Sequence, residues 1–191
     1  MARARPEPSL KARALAMLAQ REHSPRELER KLLDAVRRTQ LRRQAARASA
    51  GHGDAGSQEA QAGDIGDALA HARAQLPALL AELQAAGHLS AERFIQSRIH
   101  TRAARQSARR IAQELAHHGL VLDEAHAQSL ASTESERALE LFLRRYRHVG
   151  GVASDEAGRS RQMRFLAGRG FNGETIRAVF KALKSPKVDG D

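Results

Sequence analysis

The chain has 191 residues, no cysteine and no tryptophan, a formal net charge of +10, and 41% hydrophobic against 3% aromatic residues. Without cysteine there is no disulfide framework, thiolate zinc site or cysteine nucleophile. With so few aromatics the expected core is thin and aliphatic, which suits helices packed in small layers and excludes a thick sandwich or barrel.

The elements follow in order. Residues 1–8, basic and proline-bearing, read as a disordered tail. Ser9 opens a helix that runs to Arg21, with Leu10, Ala14, Met17 and Leu18 on one face. In REHSPRELERKLL, Ser24 is the N-cap, Pro25 fits the first helical position and Glu27 can close a capping box. Leu28, Leu32 and Leu33 form the stripe of that second helix. The period then dissolves over about 34–75, which predicts a flexible insertion, although 35–50 has the composition of a basic helix. Glycines 51, 53 and 56 in it lack the strand–turn–helix setting of a phosphate loop.

Pro77 is expected to start the next helix, carrying Leu79, Leu80 and Leu83 and stopping at Gly87. Ser90 caps a helix with Phe94, Ile95, Ile99 and Ala103, and Ser107 caps one with Ile111 and Leu115 that ends at Gly119. Asp123 caps a short helix to about Ser132 with Leu130. Thr133 and Glu136 form a possible capping box before Leu139, Phe142, Leu143 and Tyr146, and that helix ends at Gly150-Gly151. Ser154 is expected to open a helix with Met163 and Leu166 ending at Gly170. Asn172 caps the last, with Ile176, Val179, Phe180 and Leu183, before Pro186 and a polar tail.

These are nine helices in three groups, 9–88, 89–132 and 133–185, with a second tail at 186–191. Without the insertion each group falls near the period of helical repeats. Gly119 and Gly170, each preceded by a leucine four residues earlier and followed by an apolar residue, mark equivalent helix ends. The expected fold is all-α, an elongated, curved array in which neighbours bury each other's faces.

The basic excess favours an anionic partner. In the central stretch Arg98, Arg102 and Arg105 fall within one narrow arc of an ideal helix, with Arg109 and Arg110 beside them. Arg144, Arg145, Arg161, Arg164 and Arg169 extend the track. One account makes these a solvated face whose stems cover apolar neighbours. The other makes them contacts to acidic loops or a phosphate backbone.

No metal site is expected: His117-His118 are adjacent on a helix and point about 100° apart, which suits a helix end. His23 and Glu27 lack the H-E-x-x-H arrangement. Ser24, Ser107 and Ser154 read as caps, so no catalytic set and no cofactor are expected. No apolar run reaches the ~20 residues of a transmembrane helix, and MARARPEPS lacks the apolar core of a secretory signal. A cytoplasmic, monomeric protein is expected.

REHSPRELERKLL, then AAGHLSAERFIQSRIHTRAARQSARRIAQELAHHGL, then RQMRFLAGRGFNGETI, in this order and spacing, resemble the RecX family of recombinase regulators. The resemblance covers about 9–34 and 76–184. It implies three tandem three-helix repeats and a non-enzymatic protein that lies in the groove of RecA filaments on DNA. Such a protein modulates, mostly restrains, RecA ATP hydrolysis and strand exchange, and so acts in recombination, DNA repair and the SOS response. Weak, sequence-blind DNA binding is compatible with that reading. The alternative is a direct DNA-binding protein that uses 107–118 as a recognition helix, with Arg109, Arg110 and Gln113 toward the bases.

Overall fold

The computed structural model describes residues 7–49 and 57–184, and the side chains of 48, 57–63 and 149 are outside that description. The tail segments 1–6 and 185–191 and the glycines at 51, 53 and 56 therefore lie outside the described residues. Nine α-helices and one short 3-10 turn, and no strand, occur among the described residues. They are α1 (Leu10–Leu18), α2 (Pro25–Ser49), α3 (Ser57–Ala85), α4 (Ala91–Arg102), α5 (Ala108–His117), α6 (Glu124–Ser132), α7 (Glu134–Tyr146), α8 (Glu156–Gly168) and α9 (Gly173–Lys184). The chain forms two compact units, Met1–Phe94 and Ile95–Asp191. None of the helices among the described residues is long and apolar enough to cross a membrane.

In the first unit Ala14, Leu28, Leu32, Leu76, Leu79, Leu83 and Leu89 form an aliphatic core. The expected flexible insertion is corrected. Residues 34–49 continue α2 and 57–75 belong to α3. The reason is propensity: alanine, arginine and glutamine lose little on entering a helix even where no apolar stripe exists. Ion pairs steady the extensions, Arg43 to Glu7 at 2.9 Å and Arg47 to Asp64 at 3.3 Å. Pro77 is likewise not a helix start but lies inside α3. The helix runs through it because Leu76, Leu79 and Leu83 around it are all buried; that burial offsets the amide lost at proline.

The link between α1 and α2 is polar and closed. Ser24 Oγ accepts the Glu27 amide at 3.0 Å, and the Glu27 carboxylate accepts from the Arg21 guanidinium. His23 is 2% exposed. Its Nδ1–H donates to the Arg21 carbonyl at 2.9 Å, which leaves Nε2 to accept from the Lys31 ammonium at 3.1 Å. Only the neutral ring can make both bonds. Burial, with the charges of Arg21 and Lys31, holds its pKa below the ordinary 6.5 against the opposing pull of the Arg21 carbonyl and Glu27. Burial alone would raise Glu27, but its Arg21 hydrogen bond and the charges of Arg21, His23 and Lys31 hold it below 4.5.

Both shifts make the unfolded chain the better proton acceptor. The His23 contribution is complete above its unfolded pKa and is lost as pH falls toward its lowered folded value; the Glu27 contribution is lost in turn as pH falls below 4.5. Urea unfolding followed by circular dichroism between about pH 7.5 and pH 5 is expected to show stability falling on acidification, and His23→Gln is expected to flatten that slope. An unchanged slope in the variant would assign the acid sensitivity elsewhere.

In the second unit the core is Ala138, Leu141, Phe142, Leu166, Phe171, Ile176, Val179 and Phe180. The expectation of an aliphatic core holds for the first unit and fails here, because every phenylalanine or tyrosine except Phe94 falls in 142–180. Phe142 meets Tyr146 at 4.8 Å and Phe180 edge-on at 5.5 Å between centroids. Leu143 and Met163, read as stripe residues, are 46% and 43% exposed. The buried faces are instead Ala138, Leu141 and Phe142 on α7 and Gly158, Gln162 and Leu166 on α8.

The caps at Ser9, Ser90, Ser107, Asp123 and Asn172 are made by the side chains expected to make them. Two differ. Asp155, not Ser154, caps α8 by accepting the Gly158 amide at 2.6 Å. Thr133 makes no side-chain cap to α7; its hydroxyl donates back to the Ser129 carbonyl at 3.1 Å. Helices α3, α5 and α8 end in the same turn. His88, Leu120 and Phe171 each donate to a carbonyl five residues earlier, that of Leu83, Leu115 or Leu166, and a left-handed glycine precedes each donor.

Candidate functional site

The candidate arginines all lie in the second unit, and the structure separates them into distinct environments. α4 ends at Arg102, so the expected arc through Arg98, Arg102 and Arg105 is broken. Arg98 and Arg102 stay on α4 and share Glu114 of α5, at 3.5 and 3.1 Å. That carboxylate neutralises much of the pair, which fits a helix-to-helix clasp better than a surface offered to a partner. Arg109 and Arg110 are exposed on α5, whose Ile111 and Leu115 face inward. Gln113 is also exposed. Arg161 and Arg164 are exposed on α8.

The remaining four converge. Arg105, Arg144, Arg145 and Arg169 line one cleft of about 550 Å³, floored by Leu141 and Phe165. They come from the α4–α5 turn, from α7 and from the residue that ends α8. Among the described residues no carboxylate pairs with any of the four. Arg144 donates to the Ala104 carbonyl at 2.8 Å, and the Arg169 guanidinium stacks over the Phe165 ring at 5.4 Å, an arrangement that holds a cation in place without neutralising it. Tyr146 meets the same ring edge-on at 5.7 Å.

Backbone geometry sets the cleft. The Ser107 amide donates to the Arg169 carbonyl at 3.1 Å, which fastens the start of α5 to the end of α8. Gly170, at φ +93°, makes this approach possible. A Cβ there would fall 2.5 Å from Ser107 Oγ and 3.1 Å from the Arg110 Cβ, so any side chain would push the two helix ends apart. Arg137 fastens the other wall. Its guanidinium donates to the carbonyls of Ala103 at 2.8 Å, Gln106 at 2.9 Å and Leu130 at 2.8 Å. The α4–α5 turn that carries Arg105 is thus held by two arginines, Arg137 and Arg144, two turns apart on α7.

Sequence reasoning missed Glu114, Arg137 and Phe165. Glu114 and Arg137 carry little local signal, since Arg102 lies 12 residues from Glu114, and Ala103 and Gln106 lie 34 and 31 residues from Arg137. Phe165 could have been found: with Arg169 it makes an aromatic–arginine pair one helical turn apart. His117 and His118 sit at the last turn and C-cap of α5, the helix-end position expected of them.

Four unpaired cations around an aromatic floor are suited to an anionic surface that also presents a flat or apolar group. Comparison with known proteins gives that surface a context. The family description "RecX, third three-helix domain" matches residues 132–180, which contain α7, α8 and the first two thirds of α9. The chain is 38% identical to the regulatory protein RecX of Leptothrix cholodnii, over 95% of this chain and 93% of that one. It is 38% identical to that of Herminiimonas arsenicoxydans over 91% and 92%, and 37% identical to that of Herbaspirillum seropedicae over 93% and 92%.

Proposed function

Because this chain belongs to the RecX family, we propose that it is a regulator that binds RecA filaments on DNA and restrains RecA ATP hydrolysis and strand exchange. It thereby tunes recombination and DNA repair, and it acts by binding, as a cytoplasmic monomer, without chemistry of its own. Its three-helix repeats are 9–88, 89–132 and 133–185.

The observation that carries the reading to particular residues is the cleft of Arg105, Arg144, Arg145 and Arg169 over Phe165. A filament of protein on DNA offers both carboxylates and phosphates in a groove, and unpaired guanidiniums recognise either with paired donors. Arg98 and Arg102 belong in this reading to the scaffold, Arg109, Arg110 and Arg161 to the outer basic field that steers encounter.

Titrating the chain into RecA that is hydrolysing ATP on single-stranded DNA is expected to lower the rate at amounts stoichiometric with the filament. Unchanged hydrolysis and strand exchange in the presence of folded protein would overturn the proposal. A defined duplex half-site bound by the chain alone, in place of weak and salt-sensitive binding, would point to α5 as a reading helix instead.

A further inference from the structure

The first unit holds an anion of its own between the start of α1 and the middle of α2. Arg13, Arg38, Arg42 and Arg43 line a cleft there of about 550 Å³, with Glu7 among them. The Glu7 carboxylate accepts from Arg43 Nε at 3.2 Å, and its other oxygen meets a terminal nitrogen of Arg43 at 2.9 Å and one of Arg13 at 3.5 Å. Arg13 is itself fixed by donating to the Pro8 carbonyl and to Thr39 Oγ1, each at 3.0 Å. Arg38 and Arg42 are exposed one turn apart on α2, and among the described residues no carboxylate pairs with either. The six residues before Glu7 lie outside those described, and their sequence, MARARP, brings two arginines and no acid.

The geometry around Glu7 selects the ligand. A fork closed on two oxygens is how a guanidinium takes either a carboxylate or a phosphate. A lone carboxylate serves Arg43 and Arg13 and leaves Arg38 and Arg42 unanswered, whereas consecutive phosphate groups present a charge each and oxygens enough for all four guanidiniums. Among the described residues the lining holds no aromatic ring on which a base could stack, so charge does the recognising and a strand would be bound without regard to its sequence. We propose that the α1–α2 cleft is a site for consecutive phosphate groups and that Glu7 is its internal counter-ion, which leaves the fork when they enter. The site shares no lining residue with the arginine cleft of the second unit and does not depend on RecA as a partner. Two sources carry this chemistry, the backbone of a nucleic-acid strand and free polyphosphate.

The test uses the full chain labelled with nitrogen-15, titrated with an eight-nucleotide oligothymidylate or with tripolyphosphate while the amide signals of Ala35, Thr39 and Ala46 are followed. Those signals report on this cleft, so binding to the second unit is kept apart. Saturable shifts are expected at submillimolar ligand. Arg38→Ala with Arg42→Ala is expected to weaken the binding at least tenfold, and Glu7→Gln, which frees the fork, to tighten it three- to tenfold. Glu136→Gln, the same change of net charge on α7, is expected to leave it unchanged. All four positions are exposed, so unchanged circular dichroism and melting will confirm that the variants fold. Saturation by oligothymidylate at the lower concentration names a nucleic-acid strand as the source; saturation by tripolyphosphate at the lower concentration names free polyphosphate. No saturable shift with either, an equal response to hexaglutamate, or no gain from Glu7→Gln would overturn the inference and leave Glu7 an ordinary surface ion pair.

Discussion

Replacing Arg105, Arg144, Arg145 and Arg169 together by alanine is expected to raise the amount of protein needed for half-inhibition of RecA ATP hydrolysis roughly 30- to 100-fold. The same variant is expected to melt close to the temperature of the parent, because relief of charge repulsion offsets the loss of the exposed Arg144–Ala104 hydrogen bond and of the Arg169–Phe165 stack. Both outcomes follow from one feature: four like charges crowd a small cleft with no carboxylate among the described residues to offset them, and relieving their repulsion favours the folded state. A set of arginines kept for scaffolding would behave in the opposite sense, with stability lost and inhibition following it. The salt dependence of binding should weaken in parallel, since fewer counterions are exchanged at the interface. Arg98→Ala with Arg102→Ala is the internal control. It removes the partners of Glu114 and is expected to change inhibition by no more than a few-fold. Full inhibition by the four-alanine variant would move the contact surface away from the cleft.

Arg137→Ala is expected to destabilise the second unit by about 3 kcal/mol, because it strands three carbonyls that now share one cationic donor group. The side chain is half-buried, and burial lowers its pKa from the ordinary arginine value, with the charge of Glu134 opposing. Arg137→Lys should recover little. An ammonium on a single point cannot reproduce a planar fork that reaches Ala103 and Gln106 through one nitrogen and Leu130 through the other. For a chain of this length the loss corresponds to a drop of about 6–12 °C in melting temperature, measured by circular dichroism or calorimetry. A drop of less than 2 °C would show that water replaces the guanidinium at those carbonyls without penalty.

The contrast between these two groups of arginine shows what the sequence could and could not disclose. Capping is a conversation between residues three apart, so Ser9, Ser24, Ser107, Asp123 and Asn172 were legible one by one. The left-handed Gly87, Gly119 and Gly170 were legible for the same reason, each following a buried leucine by four residues. Apolar periodicity placed most helices but not their rotation, so Leu143 and Met163 were assigned inward while Ala138 and Gln162 hold those places. Gln162 ties the approach to α8, donating to the Gly151 carbonyl at 2.8 Å and accepting the Ala153 amide at 3.1 Å, contacts that no spacing rule foretells. Among the ten candidate arginines, charge alone gave no means of telling Arg102, answered by Glu114, from Arg105 three residues later. The difference arises where α4 stops, and that is decided by contacts to α7.

The long pairing of α2 and α3 also bears on how lengths can differ among proteins of this kind. Among the described residues, every buried side chain of that pair lies at or before Leu32 on one helix and at or after Ala72 on the other. Beyond Leu33, which still packs partly buried against this core, the segments 34–47 and 64–71 contribute no buried side chain among those described. Matched turns can be removed from both arms, or added, without opening a hole beneath Leu28 or Leu76. Selection can therefore lengthen or trim this arm as cheaply as a loop, while leaving the hydrophobic floor of the unit untouched.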